Sequence, residues 1–202
     1  MKLYYSPGAC SLAAHIVADE ADLRLQLEKV DLNTHTTENG LDYYRVNPKG
    51  YVPAIQLDDG STLTENVAVL NYLADRTGNT LFAPKPGTME HYRLEEWLGF
   101  INAELHKSFA PFFHGAAIER IRAKQGILER FGYVNEALKG RKYLMGDRMT
   151  VADAYLFVIL TWARKNNFDF ARFPHLSAFF DRMLARDAVQ RALREEGLPL
   201  AA

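Results

Sequence analysis

Hydrophobic and polar residues follow two different rhythms along this chain, and the change falls near residue 81. Lys2 to Ser6 (KLYYS) is a short β-rich run stopped by Pro7-Gly8. From Ser11 to Ala21, Leu12, Ile16 and Val17 recur at helical spacing, and acidic Asp19, Glu20 and Asp22 close the segment. Leu25, Leu27 and Lys29 alternate with Gln26, Glu28 and Val30, which predicts a strand. Asp42 to Val46 reads as a short helical piece inside the turn-rich stretch from Gly40 to Gly50. Ala54–Leu57 and Ser61–Leu63 flank Asp58-Asp59-Gly60, a hairpin signal. Glu65 to Arg76 carries Val67, Leu70, Leu73 and Ala74 at helical spacing, with Gly78 as the stop. The predicted order is β-α-β-α-β-β-α.

Residues 81–88 (LFAPKPGT) hold two prolines and a glycine and form the best linker candidate. Everything beyond reads helical. Met89 to Phe109 places Trp97, Ile101, Leu105 and Phe109 in one i, i+4 row. Ile118 to Leu138 is a second helix, weakened by Gly126 and Gly132. Val151 to Lys165 is the most apolar and is expected at the centre. Leu176–Leu184 and Ala188–Leu193 are shorter. The expected division is a mixed α/β domain over 1–81 and an all-α domain over 87–202.

Composition narrows the function classes. The chain has 202 residues, 48% hydrophobic and 24% charged, which suits a soluble globular fold and excludes disordered and collagen-like classes. Net charge is −1, so no global basic field would hold nucleic acid or an anionic membrane. Residues 1–80 carry net −5 and the remainder net +4, without a run of like charge. The longest apolar run, Ala154 to Ala163, has ten residues, about half of the ~20 that span a bilayer. The N-terminus lacks an apolar stretch of signal-peptide length, and a reducing, cytoplasmic setting is expected. One cysteine, Cys10, excludes an internal disulfide and Cys-rich zinc sites, and no His pair has metal-site spacing; no metal is expected.

Four places carry candidate chemistry. Cys10 falls where the first helix begins, and a helix N-terminus favours a thiolate through its unpaired N–H groups. Such a monothiol can exchange with a small thiol; the alternative is a buried, inert cysteine. Thr64 is a plausible N-cap, which puts Glu65 and Asn66 in the first turn. Free N–H groups there suit a carboxylate and Glu65 suits an ammonium, together an amino-acid head. The alternative is that Glu65 only complements the helix dipole. Glu104 and His106 flank the apolar Leu105; a lone helical His is more often structural. Thr150 and Asp153 form a capping-box variant ahead of the apolar helix and read as fold specification.

MKLYYSPGACSLAAHI, VNPKGYVPAIQLDDGSTLTEN, EWLGFINAELHKSF and GDRMTVADAYLF resemble the bacterial, cysteine-containing beta class of glutathione transferases, in order and over nearly the whole chain. The resemblance implies a thioredoxin-like N-terminal domain plus an all-α C-terminal domain. It implies that Cys10 lies beside the glutathione sulfur and can form a mixed disulfide with it. Other classes use a Tyr or Ser near the first strand, so Tyr4, Tyr5 and Ser6 are rival thiol activators; strand packing is the preferred reading of Tyr4. Pro53 lacks an N–H and fits the entry of an edge strand; Val52-Pro53 is implied to be cis, turning Val52 to pair with the extended tripeptide, while by residues alone an ordinary trans Pro breaking a loop is the commoner reading. Glu65 and Asn66 are implied to hold the γ-glutamyl group, and Glu104 to reach the ligand of a neighbouring subunit. His106 with Lys107 is implied to line the site near the sulfur. The sequence departs from the class where Gly99 often is Asn, Ala103 often is Thr, and His35 often is a Lys that binds the glycine carboxylate.

The expected activity is attack of the glutathione thiolate on a small hydrophobic electrophile, in a homodimer, with Cys10 and His106 as catalytic residues. Tyr5, His35, Val52, Pro53, Glu65, Asn66, Glu104, His106 and Lys107 are the expected glutathione contacts. Phe109, Phe112, Phe113 and Trp162 are candidates for the electrophile site, with core or interface packing as the alternative. Two other readings stand beside this one: a glutathione-dependent thiol-disulfide oxidoreductase or reductive dehalogenase using Cys10, and a non-enzymatic carrier or stress-regulatory protein.

Overall fold

The computed structural model describes residues 1–78 and 80–199. Two compact units divide the chain: Met1–Phe82 together with the segment from Arg186 onward, and Ala83–Ala185. The boundary at Phe82 falls inside the Pro-rich segment.

The first unit begins with β1 (Lys2–Tyr5), α1 (Ser11–Glu20), β2 (Gln26–Asp31), β3 (Thr36–Thr37), β4 (Ala54–Gln56), β5 (Thr62–Thr64) and α2 (Asn66–Arg76). The five strands lie in the order β3-β2-β1-β4-β5. β1 and β2 are parallel, with Leu3 opposite Leu27, so a helix must cross between them; α1 is that crossover. β4 runs antiparallel to β1 and β5 antiparallel to β4, pairing Leu3 with Ile55 and Ile55 with Leu63. The Asp58-Asp59-Gly60 hairpin is therefore present, with Gly60 at φ 85.

The structure departs from the sequence reading at four places. The buried face of β2 carries Glu28 and Val30, while Leu27 is half-buried, because Asn39 and Lys2 supply the Glu28 carboxylate with donors at 2.7 and 3.4 Å. β3 was not legible, since two residues show no period. β4 is an interior strand, so Pro53 does not enter an edge; it sits just ahead of β4 and removes no donor from the ladder. The helical piece near Asp42 is a 3₁₀ turn, Tyr43–Arg45, capped by Asp42 accepting from the Tyr44 N–H.

The second unit runs through α3 (Met89–Phe100), a π-helical turn (Ile101–His106), a 3₁₀ turn (Lys107–Phe109), α4 (Ala110–His114), α5 (Ala117–Ala137), α6 (Val151–Lys165) and α7 (Pro174–Leu184). Ile101, Leu105 and Phe109 are buried as the apolar row requires, but the row continues upstream through Leu98 and Leu94. Trp97 lies half-buried beside Phe100 and Tyr133. The π turn holds more residues per turn than an α-helix, so the apolar stripe shifts phase there. α6 is buried from Val151 to Leu160 and is the centre of this unit. Its start is fixed by Asp153, which accepts from the Thr150 N–H (2.7 Å), the Thr150 hydroxyl (2.8 Å) and the Leu144 N–H (2.8 Å).

The last helix, α8 (Asp187–Glu195), packs on α1 inside the first unit. The reason lies in α1, buried at every position from Ser11 to Ala18. A helix that apolar needs cover beyond its sheet, and α2 and α8 supply it. Charge fastens the contact: Arg186 forks onto Glu20 (2.5 and 2.7 Å) and Arg191 meets Asp19 at 3.6 Å. Within α1, buried His15 bonds Glu196 through Nδ1 (3.1 Å) and Glu195 through Nε2 (2.9 Å). Burial alone would lower the His15 pKa. The bonds and charges of Glu196, then Glu195 and Asp19, outweigh it, and the pKa is raised. Its contribution to stability is thus fully present below the ordinary value of about 6.5 and is lost as pH rises through the raised value. Urea denaturation of His15→Gln should show a deficit of about 2 kcal/mol at pH 6 that shrinks toward high pH. A deficit independent of pH would show that the imidazolium form is not what binds α8.

Candidate active site

Cys10 occupies the N-cap position of α1, half-buried, and its Sγ donates to the Val52 carbonyl at 3.2 Å. The Val52-Pro53 bond is cis. Val52 packs in a buried cluster with Tyr4, Val30, Tyr43 and Ala54. The segment ahead of it is pinned, since Tyr43 Oη (2.9 Å) and Asn47 Nδ2 (2.6 Å) both donate to the Tyr51 carbonyl. Tyr4 and Tyr5 fall on opposite faces of β1. Tyr4 packs on Tyr43, and Tyr5 faces His15 with ring centroids 6.3 Å apart. Burial, then the charges of Glu196, Glu38 and Glu195, raise the Tyr5 pKa, so its hydroxyl stays protonated and keeps a proton to donate.

Glu65, not Thr64, stands at the N-cap of α2. Thr64 closes β5, so the change from strand to helix is forced onto one residue, and Glu65 takes φ 74, ψ 121. A non-glycine residue rarely adopts that backbone, and such positions cluster at ligand sites. Its carboxylate is paired with the Lys49 ammonium, which also reaches Thr64 Oγ1 at 2.9 Å. The next residue, Asn66, is buried, and neither Oδ1 nor Nδ2 has a hydrogen-bond partner among the described residues. Leaving both ends of a buried amide unmade costs free energy, so such a group calls for a partner. His35 likewise has a left-handed backbone (φ 52) and a buried Nδ1 without a partner. Its ring lies 4.5 Å from that of Tyr44, and a Cβ on Gly50 would come within 2.9 Å of it. Gly50, itself at φ 72, lets that ring sit where it does.

Glu104, His106 and Lys107 belong to the second unit. Glu104 and His106 lie in the π-helical turn, a geometry that recurs at functional sites. Arg130 holds Glu104 Oε2 through Nε (3.0 Å) and Nη2 (2.6 Å). His106 Nδ1 is 2.5 Å from the Tyr155 hydroxyl, and that hydroxyl donates to Asn102 Oδ1 at 3.1 Å. Since the hydroxyl has one proton, His106 Nδ1 must donate to it, which leaves Nε2 with the lone pair. Burial, with a smaller push from the Lys107 charge, lowers the His106 pKa to about 4. Neutral His106 is therefore a proton acceptor at Nε2 across the physiological range. Lys107 is exposed.

The aromatic candidates divide. Phe109 is fully buried and Trp162 nearly so, and both belong to the core. Trp162 lies 4.9 Å from the His106 ring and edge-on to the exposed Phe113 at 5.1 Å. Sequence reasoning missed Tyr155, Asn102, Lys49 and Arg130. Only Tyr155 gave a signal, as a polar-tipped aromatic in the most apolar helix, where a hydroxyl needs a partner.

Among the described residues one group offers metal-ligand atoms, His15, Asp19 and Glu195, within 4.8 Å of one another. Those atoms already serve the ion pairs that fasten α8.

Comparison with known proteins places this arrangement. The glutathione S-transferase N-terminal domain model matches residues 8–76, and the C-terminal domain model matches residues 97–187. Glutathione S-transferase GstA of Escherichia coli O157:H7 is 44% identical over 98% of this chain and 100% of its own length. The solved ternary complex of BphK, a bacterial GST, is 49% identical with a TM-score of 0.95, covering 98% of this chain and 100% of that one. The bacterial beta class glutathione S-transferase of Sphingomonas chungbukensis is 41% identical with a TM-score of 0.95 over the same shares. The chain belongs to the glutathione S-transferase family. Within it, the chain falls in the bacterial beta class, with the thioredoxin-like N-terminal and helical C-terminal domains of that fold.

The His106 protonation state is open to measurement. The imidazole Cε1–H resonance should titrate with a midpoint near 4 instead of the usual value of about 6.5. A midpoint above 6 would mean that the imidazole is solvated and charged in the physiological range.

Proposed function

We propose that this chain binds glutathione in its first unit and conjugates the thiolate to small hydrophobic electrophiles. The observation that carries the reading is the pair Glu65 and Asn66: a carboxylate holding an ammonium, next to a buried amide with both ends unmade. An α-amino acid head, ammonium and carboxylate on one carbon, matches both. The γ-glutamyl end of glutathione is such a head. Val52 and cis-Pro53 would pair with the cysteinyl backbone, His35 with the glycine carboxylate, and Tyr5 would support the Cys10 side of the pocket.

Cys10 and His106 are the proposed catalytic residues. Cys10 supplies a sulfur that can exchange with glutathione, and His106 a neutral imidazole able to take a proton at Nε2. Lys107 would add positive charge for the thiolate. Residues 1–81 would serve glutathione and the helical residues from 87 onward the electrophile, except that the segment from Arg186 onward packs with the first unit. We place the enzyme in the cytoplasm as a detoxifying homodimer without a metal, a nucleic-acid partner or a membrane attachment. No described helix is long and apolar enough to cross a membrane. Exposed Tyr51, Met89, Tyr92 and Tyr133 support self-association, in which Glu104 would serve the partner's ligand. Sedimentation should then give about twice 22.9 kDa.

Calorimetry with glutathione tests the ligand site. Glu65→Gln and Asn66→Leu should each weaken binding about tenfold or more, the usual cost of a lost bond to a charged group. His35→Lys should bind S-methyl glutathione more tightly than the parent at pH 8, because a lysine there offers the glycine carboxylate a charge-assisted bond. Parent-like affinity in Glu65→Gln and Asn66→Leu would remove the γ-glutamyl assignment. A panel of a chloronitroarene, a hydroperoxide and a glutathionylated peptide then separates conjugation from thiol-disulfide chemistry and from a carrier.

A further inference from the structure

One anchor on the Cys10 turn comes from a residue 188 positions along the chain from Gly8. The turn runs Ser6–Cys10, closed by the Ala9 N–H on the Ser6 carbonyl (2.9 Å) and by Ser11 Oγ accepting from the Ser6 N–H (3.2 Å). At its apex Gly8 sits at φ 71, and its N–H donates to Glu196 Oε2 at 2.8 Å. The Glu196 side chain is wholly buried. Its other oxygen receives His15 Nδ1, and the second His15 nitrogen meets Glu195. Two carboxylates facing two ring nitrogens require both nitrogens to carry protons, so an imidazolium neutralises the buried Glu196. Leu198 covers the apex: a Cβ on Gly8 would lie 3.5 Å from Leu198 Cδ2. The turn is therefore held between α1 and residues 196–198, two residues from the sulfur. Arg186 and Arg191 independently tie α8 to α1, at Glu20 and Asp19.

We propose that Glu196 is a positioning residue for Cys10, fixing the turn that presents the sulfur, with His15 as its counter-ion. The proposal rests on the reading of Cys10 as the thiol of the glutathione site. Two reactions read it differently. Alkylation by iodoacetamide needs only access to the sulfur. Attack of the Cys10 thiolate on oxidised glutathione forms the Cys10–glutathione disulfide, breaks the glutathione S–S bond and releases one glutathione thiolate. That reaction needs the sulfur in one place. With the turn unpinned, the first should speed up and the second should slow.

The variants are Glu196→Ala, Glu196→Gln, Glu196→Asp and Arg191→Ala, compared with the parent under conditions where each is folded by circular dichroism. Glu196→Ala should alkylate faster and form the glutathione adduct about tenfold more slowly, the scale expected for a lost bond to a charged acceptor. Glu196→Gln keeps an oxygen for the Gly8 N–H and can donate its amide to a neutral His15. Its adduct rate should lie within about twofold of the parent even where stability falls. Arg191→Ala, which loosens α8 but not the turn, should lose stability and keep parent rates. Glu196→Asp keeps the charge but withdraws the oxygen by one methylene, and should show slowed adduct formation if Glu196→Ala does not fold. Parent rates for both reagents in folded Glu196→Ala or Glu196→Asp would overturn the proposal and leave Glu196 a structural tie. If the parent itself forms no adduct, the reading of Cys10 fails, while the alkylation comparison still decides whether Glu196 positions the turn.

Discussion

The burial of α1 governs the first unit. Eight consecutive residues, Ser11 to Ala18, are out of solvent, so this helix cannot rest on a sheet as an amphipathic crossover does. It must be enclosed, and α8 is drawn to it from the end of the chain. Enclosure also buries His15, whose polar ring needs two partners there, and Glu195 and Glu196 provide them. From that network the Gly8 N–H is held, and with it the turn before Cys10. Core packing and the placement of the candidate thiol therefore depend on the same enclosed helix.

The second unit solves a related problem by another route. A long apolar row brings Leu94, Leu98, Ile101, Leu105 and Phe109 inward, and the π-helical turn changes the phase of the stripe part-way along. That change leaves Glu104 and His106 on either side of buried Leu105 while the row stays inside. Tyr155 rises from the buried α6 to orient the His106 ring. A hydroxyl deep in an apolar helix is costly unless bonded, so this bond satisfies the core and sets the tautomer at once.

The start of α2 and His35 have the opposite character, with polar groups left incomplete. Asn66 is buried without partners, His35 Nδ1 likewise, and Glu65 keeps a strained backbone while its carboxylate holds Lys49. Such buried polar groups call for a partner, which a ligand or an ordered water supplies. In the proposed reading a ligand ammonium would displace Lys49 from Glu65, and both side chains are exposed enough for that exchange.

By itself the sequence determined α1, α2, α5, α6 and the β4–β5 hairpin, which follow from local periodicity and turn residues, but it ran Met89–Phe109 as one helix, where α3 ends at Phe100 and a π turn follows. It also singled out Cys10, Val52-Pro53, Glu65-Asn66 and Glu104-His106, through helix starts and family motifs. Tertiary structure alone decided the rest. Periodicity carries no record of which unit a helix packs in, so α8 was legible as a helix but not as the cover of α1. Thr64 looked like a cap because its type suits one, yet strand pairing with Ala54 claims it and moves the cap to Glu65. Glu196 lies 188 residues from Gly8, and Tyr155 lies 49 from His106. Bonds between residues so far apart in the chain leave no local pattern, because only the folded packing brings the two ends to hydrogen-bonding distance.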